Sequence, residues 1–289
     1  MKLFPSIFLP LLLPLAVAAQ SVQIQDGAIR AEFSVSDSTK VYFSQGNLQY
    51  QASTNTWRFA EHQWDFVGDS INGNVYENGV KSDNLKISPT YDGWIDLFGW
   101  GTSSYNGKNP YMTSTGYSDY GDGTNDIAGT NYDWGVYNKI SNGGNQAGMW
   151  RTLTSIEWNH LISGRAQANR LMGQGKVNNV NGLILLPDSW ATETPSSVRF
   201  TYDPGNYSTN VYSLDEWAVM QSYGAVFLPA AGYRYRTYVN DVDSYSYLWS
   251  SSTLGNDYNQ ILTFNSYHVG MSFCQSHLGV SVRLVQDVK

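Results

Sequence analysis

A chain of 289 residues is long enough for one large domain or two small ones, and either could bury a sizeable core. Apolar residues make up 42%, aromatics 15% and charged residues only 14%, which excludes a disordered chain and, with 27 glycines and 21 tyrosines, favours strands, turns and exposed rings. A formal net charge of −7 without any basic run argues against nucleic acid as a partner, because phosphate recognition needs clustered Lys and Arg.

In chain order, the first element is a segment with the pattern of a secretory signal. Lys2 supplies the positive end, Leu3 to Val17 is almost wholly apolar, and small residues Ala16 to Ala19 precede polar Gln20 and Ser21. A membrane anchor fits less well, because the run is shorter than the ~20 residues a span needs and contains Pro5, Pro10 and Pro14. Residues 1–19 are therefore expected to be removed, leaving a mature chain without a membrane span that is secreted or displayed at the cell surface. No cysteine stands at the cleavage site to carry a lipid. Cys274 is the single cysteine, so no internal disulfide, cysteine-based zinc site or redox pair can form.

Residues 20–30 read as a short leader, and a domain is expected over 31–289. Val41-Tyr42-Phe43, Leu48-Gln49-Tyr50 and Trp57-Arg58-Phe59, separated by Gly46-Asn47 and a polar tip at Ser53 to Asn55, predict antiparallel strands joined by tight turns. A loop-rich stretch from Asp69 to Gly148 follows, with Trp94 to Trp100 expected to tie it to the core. Thr154-Ser155-Ile156-Glu157 and Ser213-Leu214-Asp215-Glu216 are capping boxes that predict two helices. Trp158, Leu161 and Ile162 continue the first at helical spacing; Trp217 and Met220 continue the second to a stop at Gly224. Gly182 to Pro187 and Ala225 to Pro229 read as apolar strands ended by proline, and further strands are expected at Tyr247 to Ser250, Gln260 to Phe264 and Val280 to Val285. The sum is a single mixed α+β domain.

Several strings resemble those of secreted C-type-lectin-fold proteins of gut bacteria, a group that includes the variable target proteins of diversity-generating retroelements. They are Val41 to Tyr50, Trp150 to Thr154 with Glu157-Trp158, Leu183 to Pro187, Val226 to Gly232, Leu248 to Ser252 and Ser281 to Val285. The resemblance implies a C-type lectin-like fold of short antiparallel strands, two helices and long loops. It further implies a diversified ligand-binding face within residues 232–285. Trp249, Ser250, Ser251, Val282, Arg283 and Leu284 would be scaffold. The reading surface would comprise Tyr233, Tyr235, Tyr238, Tyr245 and Tyr247; Asn256, Asp257 and Asn259; Asn265, Tyr267 and His268; and Ser272, Phe273, Gln275 and His277. Physical chemistry favours such a division, because substitution in a close-packed core costs roughly 1–5 kcal/mol per site, comparable to a domain's whole stability. Tyrosine also offers large amphipathic area at low entropy cost, with Ser and Asn as adaptable hydrogen-bonding partners.

Each tyrosine has an ordinary alternative as strand filler. Trp249, flanked by serines in a strand, is expected in the core rather than at a ligand. Asp119 to Asp126 with Asp133 lacks the helix-flanked calcium loop and its terminal Glu, so Asx turns in a solvated loop are expected, without a metal. His62, His160, His268 and His277 show no metal-ligand spacing, and His268 and His277 are expected at the surface. Cys274, among polar residues, is expected to be exposed but lacks an activating base. No cofactor is implied. The expected function is binding of a protein or glycan outside the cell. A carbohydrate-active enzyme using Glu61, Glu157, Glu193 or Asp215 is the first alternative, although Glu157 is already explained as a cap. A structural adhesin or surface component is the second. Formylglycine-generating enzymes share the lectin-like fold but need a copper-binding cysteine pair, which one Cys cannot supply.

Overall fold

The computed structural model describes residues 22–66, 87–202 and 205–289. The segment 1–19 expected to be an export signal and the start of the loop-rich stretch therefore lie outside the described residues. The fold is mixed α+β. One sheet runs in the order Ile24–Gln25, Ala28–Ser34, Lys40–Ser44, Leu284–Asp287 and Arg151–Thr152, so the last strand is clamped between early and middle segments. A second runs Asn210–Tyr212, Met172–Val177, Val180–Leu185 and Val226–Pro229. The third runs Val269–Gln275, Tyr258–Phe264, Ser246–Gly255, Val280–Ser281 and Leu97–Phe98. Leu48–Gln51 with Thr56–Phe59 and Tyr233–Tyr235 with Tyr238–Asn240 form separate hairpins.

Both capping boxes are formed. The Thr154 hydroxyl accepts from the Glu157 amide and the Glu157 carboxylate accepts from the Thr154 amide, starting the helix Ser155–Asn159. Ser213 and Glu216 do the same for the helix Leu214–Ser222. Gly224, at φ 89, ends that helix in the left-handed region where a glycine is least strained. Trp158, Leu161, Trp217 and Met220 are buried, which is why these short helices hold: their apolar faces supply the stability that so few turns lack alone.

Three expectations change. Residues 22–30 are part of the fold: Ile24–Gln25 pairs with Ala28–Ile29, and the latter two side chains are fully buried. Leu48–Gln51 does not continue a meander from Lys40–Ser44. The chain bends at Gly46, where a Cβ would lie 2.5 Å from the Ala60 carbonyl oxygen, and the strand pairs with Thr56–Phe59 instead. Val280 to Val285 is two strands in two sheets. Between them Arg283 turns wholly inward, its Nη2 donating to Gln63 Oε1 at 2.9 Å, and the Val282 carbonyl accepts from the Leu48 amide. Burial without a carboxylate partner pulls the Arg283 guanidinium down to about 9.

The strand Ser246–Gly255 is the pivot of the third sheet. Trp249 donates its indole N–H to the Phe98 carbonyl at 2.7 Å, and Trp100 donates to the Ser250 carbonyl at 3.0 Å. Trp249, Ser250, Ser251, Val282, Arg283 and Leu284 are all buried. No helix among the described residues is long and apolar enough to cross a membrane.

Candidate functional site

The hairpin Tyr233–Asn240 is built by alternation. In an extended strand successive side chains point to opposite faces, and here Arg234 and its partner Val239 point inward while Tyr233, Tyr235, Tyr238 and Asn240 point outward. Gly232 enters the hairpin at φ 67, and a Cβ there would lie 2.0 Å from the Asn240 carbonyl oxygen. The two-residue turn places Arg236 at φ 53. Underneath, Arg234 exchanges backbone hydrogen bonds with Gly279 and donates from its side chain to the carbonyls of Leu97 and Arg236 at 3.2 and 2.7 Å. Burial lowers this guanidinium to about 10. The hairpin is thus pinned from below and leaves its upper face free.

That face forms one wall of a cavity of about 530 Å³. Tyr233, Tyr235, Tyr238, Asn240 and Asp241 come from the hairpin and the turn after it, and Tyr247 comes from the central strand. The end of the edge strand and its following turn supply Cys274, Gln275, His277 and Leu278, with Val280 below. The Tyr233 and Tyr247 rings meet edge to face at 5.5 Å and 89°, and Tyr245 stacks beyond Tyr247 at 6.3 Å and 9°. The Tyr247 hydroxyl donates to Asp241 Oδ2 at 3.2 Å. Burial first, and the Asp241 charge second, push the Tyr233 and Tyr247 phenols up, so both stay protonated near neutral pH.

His277 closes the far wall. Its ring lies 5.7 Å from that of Tyr235, and its Nδ1 stands 4.0 Å from Asp257 Oδ2. Neither His277 Nδ1 nor Asp257 Oδ1 has a hydrogen-bond partner among the described residues, although both are buried. Burial lowers the imidazole's basicity more than Asp257 raises it, so His277 is neutral at pH 7. Burial also pushes the Cys274 thiol up, with Asp257 adding to the shift.

Of the fifteen positions read as the binding surface, six line this cavity: Tyr233, Tyr235, Tyr238, Tyr247, Gln275 and His277. Tyr245 touches it through Tyr247, and its hydroxyl stands 3.3 Å from that of exposed Tyr267. Ser272 and Phe273 are exposed on the edge strand, where Phe273 packs on Tyr258 at 5.6 Å. Asn256 is exposed and Asp257 half-buried in the left-handed turn that joins Gly255 to Tyr258, at φ 51 and 71. His268 is exposed at the opposite end of the edge strand from His277, so the two histidines do not pair.

Three positions are not surface. Asn259, 1% exposed, donates from Nδ2 to Ser276 Oγ at 2.7 Å. Asn265 is buried and shapes a turn, its Oδ1 accepting from the Tyr267 amide and its own amide donating to the His268 carbonyl, each at 2.9 Å. His277 is only 7% exposed, although it lines the cavity. Cys274 is only partly exposed, with a thiol facing the cavity wall rather than open solvent. Asn240, Asp241, Leu278 and Val280 were missed. Alternation from Tyr238 places Asn240 on the tyrosine face, so that signal was present; Asp241 depends on a left-handed turn at φ 59 that residue type alone does not announce.

The aspartate loop is structural at Asp133. This fully buried carboxylate accepts from the amides of Gly135 and Thr152 and from the Thr152 hydroxyl, and burial raises it to about 6 despite those bonds. Asp126 accepts from the Thr253 amide. Among the proposed catalytic carboxylates, Glu157 is held by Thr154 and by Arg151. Glu61 lines a second cavity of about 610 Å³, beside stacked His62 and Trp64, as the one carboxylate among its described lining residues. Comparison with protein-family models, curated proteins and solved structures returned no match.

Proposed function

We propose that this protein is an exported ligand-binding module with a C-type lectin-like fold, and that the tyrosine-lined cavity is where it holds a protein or glycan. The export signal at residues 1–19 and the resemblance to variable target proteins of retroelements supply the setting. The observation that carries the reading is the contrast between the two faces of the hairpin and what its outer face meets. Arg234 and Val239 are locked inside, while four partly exposed rings, Tyr233, Tyr235, Tyr238 and Tyr247, converge on one cavity. Rings of this kind contribute contact area with few rotors to immobilise, as recognition surfaces do.

The cavity's chemistry supports binding rather than turnover. Glycoside hydrolysis uses a pair of carboxylates across the scissile bond, and Asp241 is the one carboxylate among the described residues lining this cavity. A nucleophilic cysteine needs a thiolate, whereas burial drives the Cys274 thiol the other way. A panel of glycans and secreted proteins displayed on an array tests the reading. Tyr233→Ala and Tyr247→Ala are each expected to weaken the strongest hit about tenfold or more, while Tyr247→Phe keeps most of the binding. Unchanged binding in both alanine variants, with their folding intact by circular dichroism, would sink the proposal.

A further inference from the structure

The cavity's walls have a sign as well as a shape. We infer that it receives the basic side chain, lysine or arginine, of a protein partner, seated against the aromatic wall of Tyr233 and Tyr247 and hydrogen-bonded to Asp241. This rests on the cavity being the binding site proposed above and names what enters it.

The first support is geometric. Tyr233 and Tyr247 pack edge to face with centroids 5.5 Å apart, and both rings line the same cavity as Asp241, so a cation held there lies against an aromatic wall. A cation within ~6 Å of a ring face is attracted to the ring's quadrupole, more strongly the more it is desolvated. The second is electrostatic. Asp241 is the acid among the described residues that line this space, and among them only one of its oxygens is engaged, by the Tyr247 hydroxyl at 3.2 Å. The other oxygen remains as an acceptor. The third is internal precedent: the Arg236 guanidinium lies 5.5 Å from the Tyr235 ring centroid, so the hairpin already holds one cation on a tyrosine face. With a chain charge of −7, the approach of a basic surface is also favoured at long range.

Acceptors decide between kinds of cation. Asp241, Asn240 and Gln275, each of which carries a side-chain oxygen acceptor, line the same cavity. A primary ammonium or a guanidinium can donate to them, and charge-assisted bonds of that kind are about twice as strong as neutral ones. A quaternary ammonium cannot. A neutral sugar would use the amides and hydroxyls but would leave the Asp241 charge uncompensated on burial.

The experiment titrates the full mature chain by NMR with three probes: N-acetyl-lysine methylamide, its neutral isostere N-acetyl-norleucine methylamide, and choline. The lysine derivative is expected to bind about tenfold tighter than the norleucine one, a difference of about 1.4 kcal/mol, and tighter than choline. Asp241→Asn should erase most of that preference, and Tyr247→Leu should abolish binding of the lysine probe. Arg236→Asn, which keeps the left-handed turn and removes the cation at the rim, should tighten it. Equal affinity for lysine and norleucine derivatives, choline binding tightest, or an unaffected Asp241→Asn variant would each overturn the inference. If array binding is lost in Tyr247→Ala while no probe distinguishes charge, the binding-site reading stands and the cation falls. If array binding survives Tyr247→Ala, both fall.

Discussion

The strands Ser246–Gly255 and Val269–Gln275 lie in one sheet, two places apart, and use similar residues in opposite ways. The first is flanked on both sides, and its Ser250 and Ser251 are buried and tied down: Ser250 Oγ donates to the Gln260 carbonyl at 2.7 Å, and the Ser251 amide donates to the Leu153 carbonyl. The second is the sheet's edge, and its Ser272 and Phe273 face solvent. Serine in one strand is frame; serine in the other is free to change. Position in the sheet, more than residue type, determines which side chains can serve recognition. The tyrosines sit between these extremes, anchored at one end and wet at the other.

The largest expected effect tests the frame. Trp249→Ala removes a fully buried ring whose N–H holds the Phe98 carbonyl, and should cost about 3–5 kcal/mol, read as a lowered urea midpoint with the slope unchanged. A loss below about 1 kcal/mol would mean that the central strand is not the pivot described above.

The same contrast explains what was legible in the sequence. The helices were, because Thr154 with Glu157 and Ser213 with Glu216 are local signals that need no tertiary information. The apolar strands Val180–Leu185 and Val226–Pro229 were legible for the same reason. The strand Met172–Val177 was not. Its Gly173 and Gly175 break the apolar pattern, and only the left-handed pair Asn178-Asn179 between Val177 and Val180 marks the hairpin. At the site, the tyrosines were legible by type and spacing. Asn259 and Asn265 were misread because an amide looks like surface chemistry until a specific partner, such as Ser276 for Asn259, is seen to bury it. Asp241 was invisible because a turn, not a pattern, aims it.

Asn259 gives the next effect in size. Asn259→Ala deletes its bond to Ser276 Oγ in a buried setting, which should cost about 1–3 kcal/mol. Asn256→Gly, three residues away, exposed and at a φ of 51 that glycine accepts, should cost less. Urea denaturation of the pair checks this. Equal losses would return Asn259 to the surface and remove the distinction between frame and face.

A smaller effect is expected from His277. Its basicity in the folded chain lies below the ordinary 6.5, chiefly through burial. The unfolded chain therefore binds the proton more readily, and the stability His277 contributes is present above pH 6.5 and is lost as pH falls through the folded value. Asp133 acts in the opposite sense. Raised to about 6 from 3.8, it takes up a proton in the folded chain first, so its contribution grows as pH falls from about 6 toward 3.8. Whole-protein curves mix the two, but the difference between wild type and His277→Gln isolates the histidine. That difference should narrow as pH is lowered from 7 to 5, and a constant difference would place the ring in a solvated setting.

The smallest effect belongs to the edge. Phe273 is 57% exposed and packs on Tyr258 rather than into the core, so Phe273→Ser should change stability by no more than about 0.5 kcal/mol. It lies on the same strand as Cys274 and Gln275 of the cavity wall, yet it packs on Tyr258 and does not itself line the cavity. Phe273→Ser should consequently leave binding to the cavity unchanged while Tyr247→Ala weakens it. If Phe273→Ser weakens binding as much, the recognition face extends across the outer side of the edge strand, and the ligand spans more than the cavity.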